Sequence, residues 1–274
     1  MAENKKYDLA VAYRIYPKVS KVPPVYPDDK YKLSELCLKS FKESFGDMKV
    51  KIWVILDNCP PEYTDLFKKY FDSPELELIN LGFTGNNGTF KKQLEILLNQ
   101  EESELVYFAE DDYFYLPGCF SRIIDFMKAE GGNCFVTPFD HPDYYNLKIH
   151  DYKYQVKYSG CQQWRTGGST CMTFLTTKQV LKETEKVLLT YSRGNYDASM
   201  WFSLTKKRIF NPFYFRNNED IRIFVKAWFN CWRQILFGKK RYLWAPVPSL
   251  CTHMDDIHLA PGIDWQSLFA ESEK

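Results

Sequence analysis

Three acidic residues stand together at Glu110, Asp111 and Asp112, directly behind the apolar run Leu105 to Ala109. A surface turn needs one such acid, and adjacent carboxylates repel, so a cationic partner is expected to offset them. Hard divalent ions such as Mn2+ or Mg2+ take carboxylate oxygens together with substrate phosphates, and a metal bound to a diphosphate would meet that need. The alternative is a solvated loop in which Asp112 caps a helix. A fourth acid, Asp197, ends Gly194-Asn195-Tyr196-Asp197 just before the apolar stretch Ala198 to Leu204, where an N-cap role is open to it. Of four histidines, His253 lies in Leu250-Cys251-Thr252-His253-Met254-Asp255, behind Pro246 and Pro248. Eight cysteines are scattered without a C-x-x-C pair and read as reduced, mostly buried apolar residues.

The elements that must position these groups follow from periodicity. Leu9 to Tyr13 reads as a strand, and Leu33, Leu36, Cys37, Phe41 and Phe45 recur at helical spacing before Gly46. Lys51 to Leu56 is a buried-strand run ending at Asp57, with a helix behind Pro60-Pro61. Leu76 to Leu81 is a third strand, followed by a Gly/Asn-rich loop from Gly82 to Thr89 and a helix face of Phe90, Leu94, Leu97 and Leu98. Leu105 to Ala109 is the fourth, with a helix through Phe120, Ile123, Ile124 and Met127 and a strand from Cys134 to Thr137. Four βα units in a row predict an α/β fold with a mainly parallel sheet flanked by helices. Ligands of such sheets sit beyond the carboxyl ends of the strands, which places Arg14, Tyr16, Asp57, Asn58, Asn86, Gly88 and Glu110 to Asp112 on one rim. Later strands are expected near 155–159, 170–175 and 242–245, with a helix over 177–189, and Pro17 to Asp29 as an exposed loop. Residues 1–274 are expected to form one domain, with 1–140 as the half that carries this rim and 141–274 as the half that completes the site.

Composition removes several classes. Lys+Arg 36 against Asp+Glu 35 leaves a formal charge of +1, so no global field points to nucleic acid or an acidic partner. Aromatic residues make up 17%, leaving flat amphipathic rings for clefts where sugars or bases stack. Met1 to Asp8 is charged, and no stretch approaches the roughly 20 apolar residues of a membrane span, so a cytoplasmic location is expected. Within 221–241, Phe224, Val225, Trp228, Phe229, Trp232, Ile235, Leu236 and Phe237 alternate with Arg222, Lys226 and Arg233. That stretch reads either as a buried core helix or as a peripheral membrane contact.

Leu105 to Gly118, LVYFAEDDYFYLPG, resembles the DxD region of the GT-A glycosyltransferases of the inverting family 2 type, and looser likeness extends from about Leu9 to His253. The resemblance implies a GT-A fold, Rossmann-like with a smaller acceptor-side subregion, and metal-dependent transfer of a sugar from a nucleotide diphosphate donor to a glycan or glycolipid acceptor. Glu110 and Asp112 match the first and last acids of the motif; Asp112 is the expected metal ligand, with Glu110 and Asp111 toward the donor. By the same resemblance Tyr13, Arg14, Tyr16 and Asp57 hold the nucleobase, and Asp57 would accept from a uracil imide, which favours a UDP-sugar. Asn86, Gly88 and Lys91 or Lys92 loosely match the family's Asn-x-Gly loop and following helix, although its Ala-Arg-Asn segment is missing here. His253 resembles the C-terminal metal-binding histidine. Asp197 resembles the acid beneath the acceptor and would be the general base of an inverting reaction. Trp164-Arg165-Thr166-Gly167-Gly168-Ser169 resembles the glycine-containing pocket floor, with Trp164 stacking on a sugar, Arg165 on phosphate and Gly168 allowing close approach.

Two other functions fit parts of this pattern. A sugar-phosphate nucleotidyltransferase shares the fold, but Tyr13 to Pro17 lacks the glycine-rich loop such enzymes place after their first strand. A carbohydrate-binding protein without catalysis would use the same aromatic surface and need no nucleotide.

Overall fold

The computed structural model describes residues 6–19, 21–214 and 217–272, so Met1 to Lys5, part of the charged N-terminal segment, and Ser20 in the proline-rich loop lie outside the described residues. The strands are β1 (Leu9–Ile15), β2 (Val50–Asp57), β3 (Leu76–Leu81), β4 (Leu105–Glu110), β5 (Tyr113–Tyr115), β6 (Phe135–Val136), β7 (Val156–Ser159), β8 (Gln162–Gly167), β9 (Phe174–Thr177), β10 (Leu243–Val247) and β11 (Cys251–His253). The helices are α1 (Lys30–Glu43), α2 (Pro61–Tyr70), α3 (Gly85–Asn99), α4 (Cys119–Ala129), α5 (Asp143–Asn146), α6 (Lys178–Leu188), α7 (Asp197–Thr205), α8 (Asn218–Phe237) and α9 (Trp265–Ser272).

Nine strands form one sheet in the order β3-β2-β1-β4-β9-β6-β10-β8-β7. Only β8 and β9 run against the rest, as their antiparallel pairing with β10, β4 and β6 requires. The mainly parallel α/β sheet expected from the sequence is therefore present. Its caps are readable in the chain: Asp29 accepts from the Lys32 N–H at 3.0 Å, Pro61 opens α2, and Asn217 accepts from the Asp220 N–H at 2.7 Å.

Strand alternation divides the core into two layers. Leu9, Val11, Tyr13 and Ile15 face α1, α2, α4 and α9, whereas Ala10 and Ala12 face α3, α6, α7 and α8. Gln93 of α3 is fully buried and donates to the carbonyls of Ala12 (2.7 Å) and Ala109 (2.9 Å). It locks the helix to the ends of β1 and β4, where the candidate site lies.

Three elements differ from the sequence reading. The Gly/Asn-rich loop from Gly82 to Thr89 ends early, because Gly85 to Thr89 already form the first turn of α3. The glycine segment behind Trp164 is largely strand β8, and 170–173 is not strand; β9 begins at Phe174. The β5–β11 ribbon was not foreseen, since Tyr113 to Tyr115 is only three residues long and its partner lies far along the chain. On α8, Ala227, Cys231 and Ile235 are buried while the opposite face is exposed, so the helix is half core and half surface. No helix among the described residues is long and apolar enough to cross a membrane.

Candidate active site

The carboxyl ends of β1, β2 and β4 and the N-terminus of α3 meet in a hollow of about 110 Å³. Arg14, Tyr16, Asp57, Asn86 and the acids Glu110 to Asp112 all border it. Most of these polar groups are already engaged. Arg14 is buried and pairs with Glu110, while its other nitrogen donates to the Asn86 carbonyl at 2.8 Å. Burial opposes the Arg14 charge, but Glu110 outweighs it and holds the guanidinium above its ordinary pKa. Thr173 donates to the second Glu110 oxygen at 3.0 Å. Asp57 accepts from the N–H groups of Thr84 (2.7 Å) and Gly85 (2.8 Å), so its carboxylate anchors the start of α3 beside the hollow.

Asp111 pairs with Lys30 at 2.7 Å and accepts from the Tyr16 N–H at 3.3 Å. Burial opposes the Lys30 charge too; Asp111 and then Asp112 outweigh it and raise its pKa. Lys30 was missed in the sequence, although a lysine opening a helix stands against the helix dipole and is a signal that something anionic sits in front of it.

Asp112 differs from its two neighbours. His253 Nε2 lies 3.1 Å from its Oδ2, brought there by the antiparallel β5–β11 ribbon, in which His253 faces Tyr113. Burial alone would raise the Asp112 pKa, but His253 outweighs it and pulls the carboxyl well below the usual range. Conversely, Asp112 holds the His253 pKa up against burial. The remaining oxygen, Oδ1, is buried and has no hydrogen-bond partner. It is the one acidic oxygen of the triplet so left, and buried polar atoms in that state call for a ligand.

A second cavity, of about 1180 Å³, opens beside α5, α7 and the start of α8. Asp197, His141, Asp143 and Cys171 are among its walls. Asp197 is the first residue of α7, and its Oδ1 accepts from the Ala198 N–H at 2.6 Å. Burial, with the Glu110 charge adding, raises its pKa above the ordinary carboxylate value. The two cavities are thus in electrostatic contact through Glu110. His141 and Asp143 carry no sequence motif; they stand on this wall just before and at the start of α5, in the segment that follows β6.

Several expected site residues lie elsewhere. Tyr13 is buried between Phe41 and Phe67 in the α1–α2 layer, with ring centroids 5.3 Å from each, and cannot stack on a base. Strand parity explains this: if Arg14 faces α3, Tyr13 must face away. Trp164 is fully buried and stacked on Phe126 at 4.2 Å, so it is core rather than a sugar platform. Arg165 is buried under the rings of Tyr144, Tyr145 and Tyr154 at 5.0, 4.9 and 4.4 Å, not turned to a phosphate. The close approach at Gly168 is made by protein, since a Cβ there would meet Tyr152 Oη at 2.6 Å and Phe202 at 2.8 Å. Gly88 packs against Thr84 in the same way, and Lys91 is exposed, 3.8 Å from Glu95 on its own helix. Truncation of Trp164 to alanine is expected to cost about 3–5 kcal/mol of stability, as for other large core side chains, and to leave donor KM unchanged. Urea unfolding and initial-rate kinetics on the same preparation separate the two effects.

No protein-family model and no curated protein matches the chain. Among solved structures, the crystal structure of GalNAc-T7 with UDP, GalNAc and Mn2+ aligns over 92% of this chain with a TM-score of 0.50 and 9% sequence identity. The fold is of the GT-A type. The alignment covers 44% of GalNAc-T7, so the chain spans less than half of that structure, and at this identity the likeness concerns the fold alone. A 4-diphosphocytidyl-2C-methyl-D-erythritol synthase from Anaerococcus prevotii aligns over 98% of this chain and 96% of its own at 13% identity, with a TM-score of 0.43. Within the GT-A sheet, the acid triplet ends the fourth strand, at the central rim where ligands of open α/β sheets bind.

Proposed function

We propose that the chain is a metal-dependent glycosyltransferase that moves a sugar from a nucleoside diphosphate donor, a UDP-sugar in the first instance, to an acceptor hydroxyl with inversion. The observation that supports this most directly is the unpartnered Asp112 Oδ1, buried next to His253 on a rim where Glu110 is held by Arg14 and Thr173, Asp111 by Lys30 through its Oδ2, and Asp57 by backbone N–H groups. Among the described residues no group of three or more His, Cys, Asp or Glu side chains can hold a metal alone. Two protein ligands are nonetheless what a Mg2+ or Mn2+ ion carried by a diphosphate requires, because phosphate oxygens and water complete its shell. Asp112 and His253 would hold the ion, which when bound neutralises charge on the departing diphosphate. The GalNAc-T7 structure of like fold holds UDP, GalNAc and Mn2+, which supports a divalent ion beside a nucleotide.

The chain's own groups then divide the work. Asp57, Asn86 and Tyr16 border the donor side, and the larger cavity takes the acceptor. Asp197 accepts the hydroxyl proton while the acceptor oxygen bonds to the anomeric carbon, and the bond from that carbon to the diphosphate breaks with its electron pair leaving on the nucleotide. Its raised pKa makes it a stronger base than an exposed carboxylate. Release of UDP from UDP-sugars should require Mn2+ or Mg2+ and stop with EDTA. Undiminished turnover in EDTA would remove the metal, and pyrophosphate release from a nucleoside triphosphate would replace sugar transfer by nucleotidyl transfer.

A further inference from the structure

The outward side of α8, which is kinked at Cys231, presents Ile221, Val225 and Phe229 at one-turn spacing before the kink and Trp232 and Leu236 after it, with Phe237 6.5 Å from Trp232 between ring centroids. They are 45, 55, 83, 45, 49 and 80% exposed, an unusual state for six large apolar side chains on one helix. Phe210, 58% exposed and 6.4 Å from Trp228 between ring centroids, extends the patch sideways. We propose that this face of α8 lies on an anionic lipid bilayer surface, inserting its apolar row to headgroup depth.

Charge complementarity selects that occupant over another apolar protein face. From Ile221 to Tyr242 the chain contains Arg222, Lys226, Arg233, Lys239, Lys240 and Arg241 and not one Asp or Glu, although the whole chain is nearly neutral. Arg241 is buried and paired with Glu183, so it does not contribute. Of the remainder, Arg222, Arg233, Lys239 and Lys240 are exposed. Before the kink at Cys231, about 100° per residue puts Arg222 and Lys226 on the flank beside Ile221, Val225 and Phe229; after it Arg233 lies 5.2 Å over the Trp232 ring, while Ala227, Cys231 and Ile235 are packed into the core. The Lys226 ammonium donates to the Gly194 carbonyl at 2.6 Å and sits 3.9 Å over the Tyr196 ring. An apolar row with an adjoining basic flank is how an interfacial helix meets acidic headgroups. Glu219 and Asp220 stand in the first turn, immediately before Ile221. The start of α8 is also a wall of the larger cavity, through Asn217 to Asp220 with Arg222 and Ile223, so a docked helix would set the cavity mouth near the bilayer.

The docking stands independently of sugar transfer and is tested without a substrate. Flotation of the full chain with vesicles of phosphatidylcholine and phosphatidylglycerol in equal parts at low salt should carry the protein upward, and pure phosphatidylcholine vesicles should carry much less. Emission should shift to the blue on binding through exposed Trp232 and half-buried Trp228, because the other five tryptophans, Trp53, Trp164, Trp201, Trp244 and Trp265, are already buried. The double variant Phe229→Glu, Phe237→Glu should stay in the aqueous fraction. Reversal of Arg233, Lys239 and Lys240 to Glu should weaken binding on the order of 100-fold or more, given the contribution of each basic residue near an anionic surface. Circular dichroism checks that these surface variants fold. Absence of flotation for the folded wild-type chain would overturn the proposal. So would flotation unaffected by either set of changes, or sedimentation showing that the face instead joins two copies of the chain.

Discussion

The variant Asp112→Asn should retain its fold and lose sugar transfer by at least about 100-fold in kcat/KM, the scale seen when one preorganised electrostatic group is removed from an active site. The amide has the size of the carboxyl and can still hydrogen-bond to His253, 3.1 Å away in the wild type, so the β5–β11 ribbon has no reason to open. What disappears is the anionic oxygen that the chain leaves unpartnered in a buried position. The loss should therefore appear in the response to metal. Addition of Mn2+ with UDP should raise the melting temperature of the wild type, since a ligand at 100 times its dissociation constant stabilises by about 2.7 kcal/mol, and should raise that of the variant little. Equal thermal shifts in both proteins, or full activity in the variant, would remove Asp112 as a metal ligand. Asp111→Asn offers the contrast, because that acid is already committed to Lys30 and the Tyr16 N–H.

The chain states some of this plainly and withholds the rest for physical reasons. Parallel strands buried on both faces are continuous apolar runs, so Leu9–Ile15, Val50–Asp57 and Leu105–Glu110 are legible, and the rim at their carboxyl ends follows from the topology of such sheets. Strand parity was equally legible and decides against Tyr13, because neighbours on a strand cannot face one ligand from opposite sides. Trp164 is a different case. Its segment carries two glycines and an arginine, which suggests a turn, and only the stack on Phe126 and the pairing of β8 with β10 reveal a core strand. The contact of Asp112 with His253 joins residues 141 positions apart through a three-residue ribbon, and no local propensity encodes so short a pairing. Lys30, Thr173 and Gln93 act by neutralising or bridging other site groups, a role that depends on what faces them and not on their own neighbours in sequence.

Loss of the Asp197 carboxylate should slow transfer by about 10²- to 10⁴-fold in kcat while leaving donor KM close to its wild-type value, which is the range for removing a general base. Asparagine suits this test because its carbonyl oxygen can still accept from the Ala198 N–H and preserve the first turn of α7. The pH profile supplies the sharper discrimination. Burial first, with Glu110 adding, raises the Asp197 pKa, and a base works only when deprotonated. The wild-type rate should accordingly fall as pH drops through a value above the ordinary carboxylate range, and Asp197→Asn should abolish that limb. A structural cap would behave otherwise: its replacement would lower stability and leave the shape of the profile intact. Product stereochemistry closes the argument, because a single proton acceptor opposite the leaving diphosphate produces inversion at the anomeric carbon. Retained configuration in the product would mean that the sugar passes through a second displacement or a front-face path, and Asp197 would then bind acceptor without serving as its base.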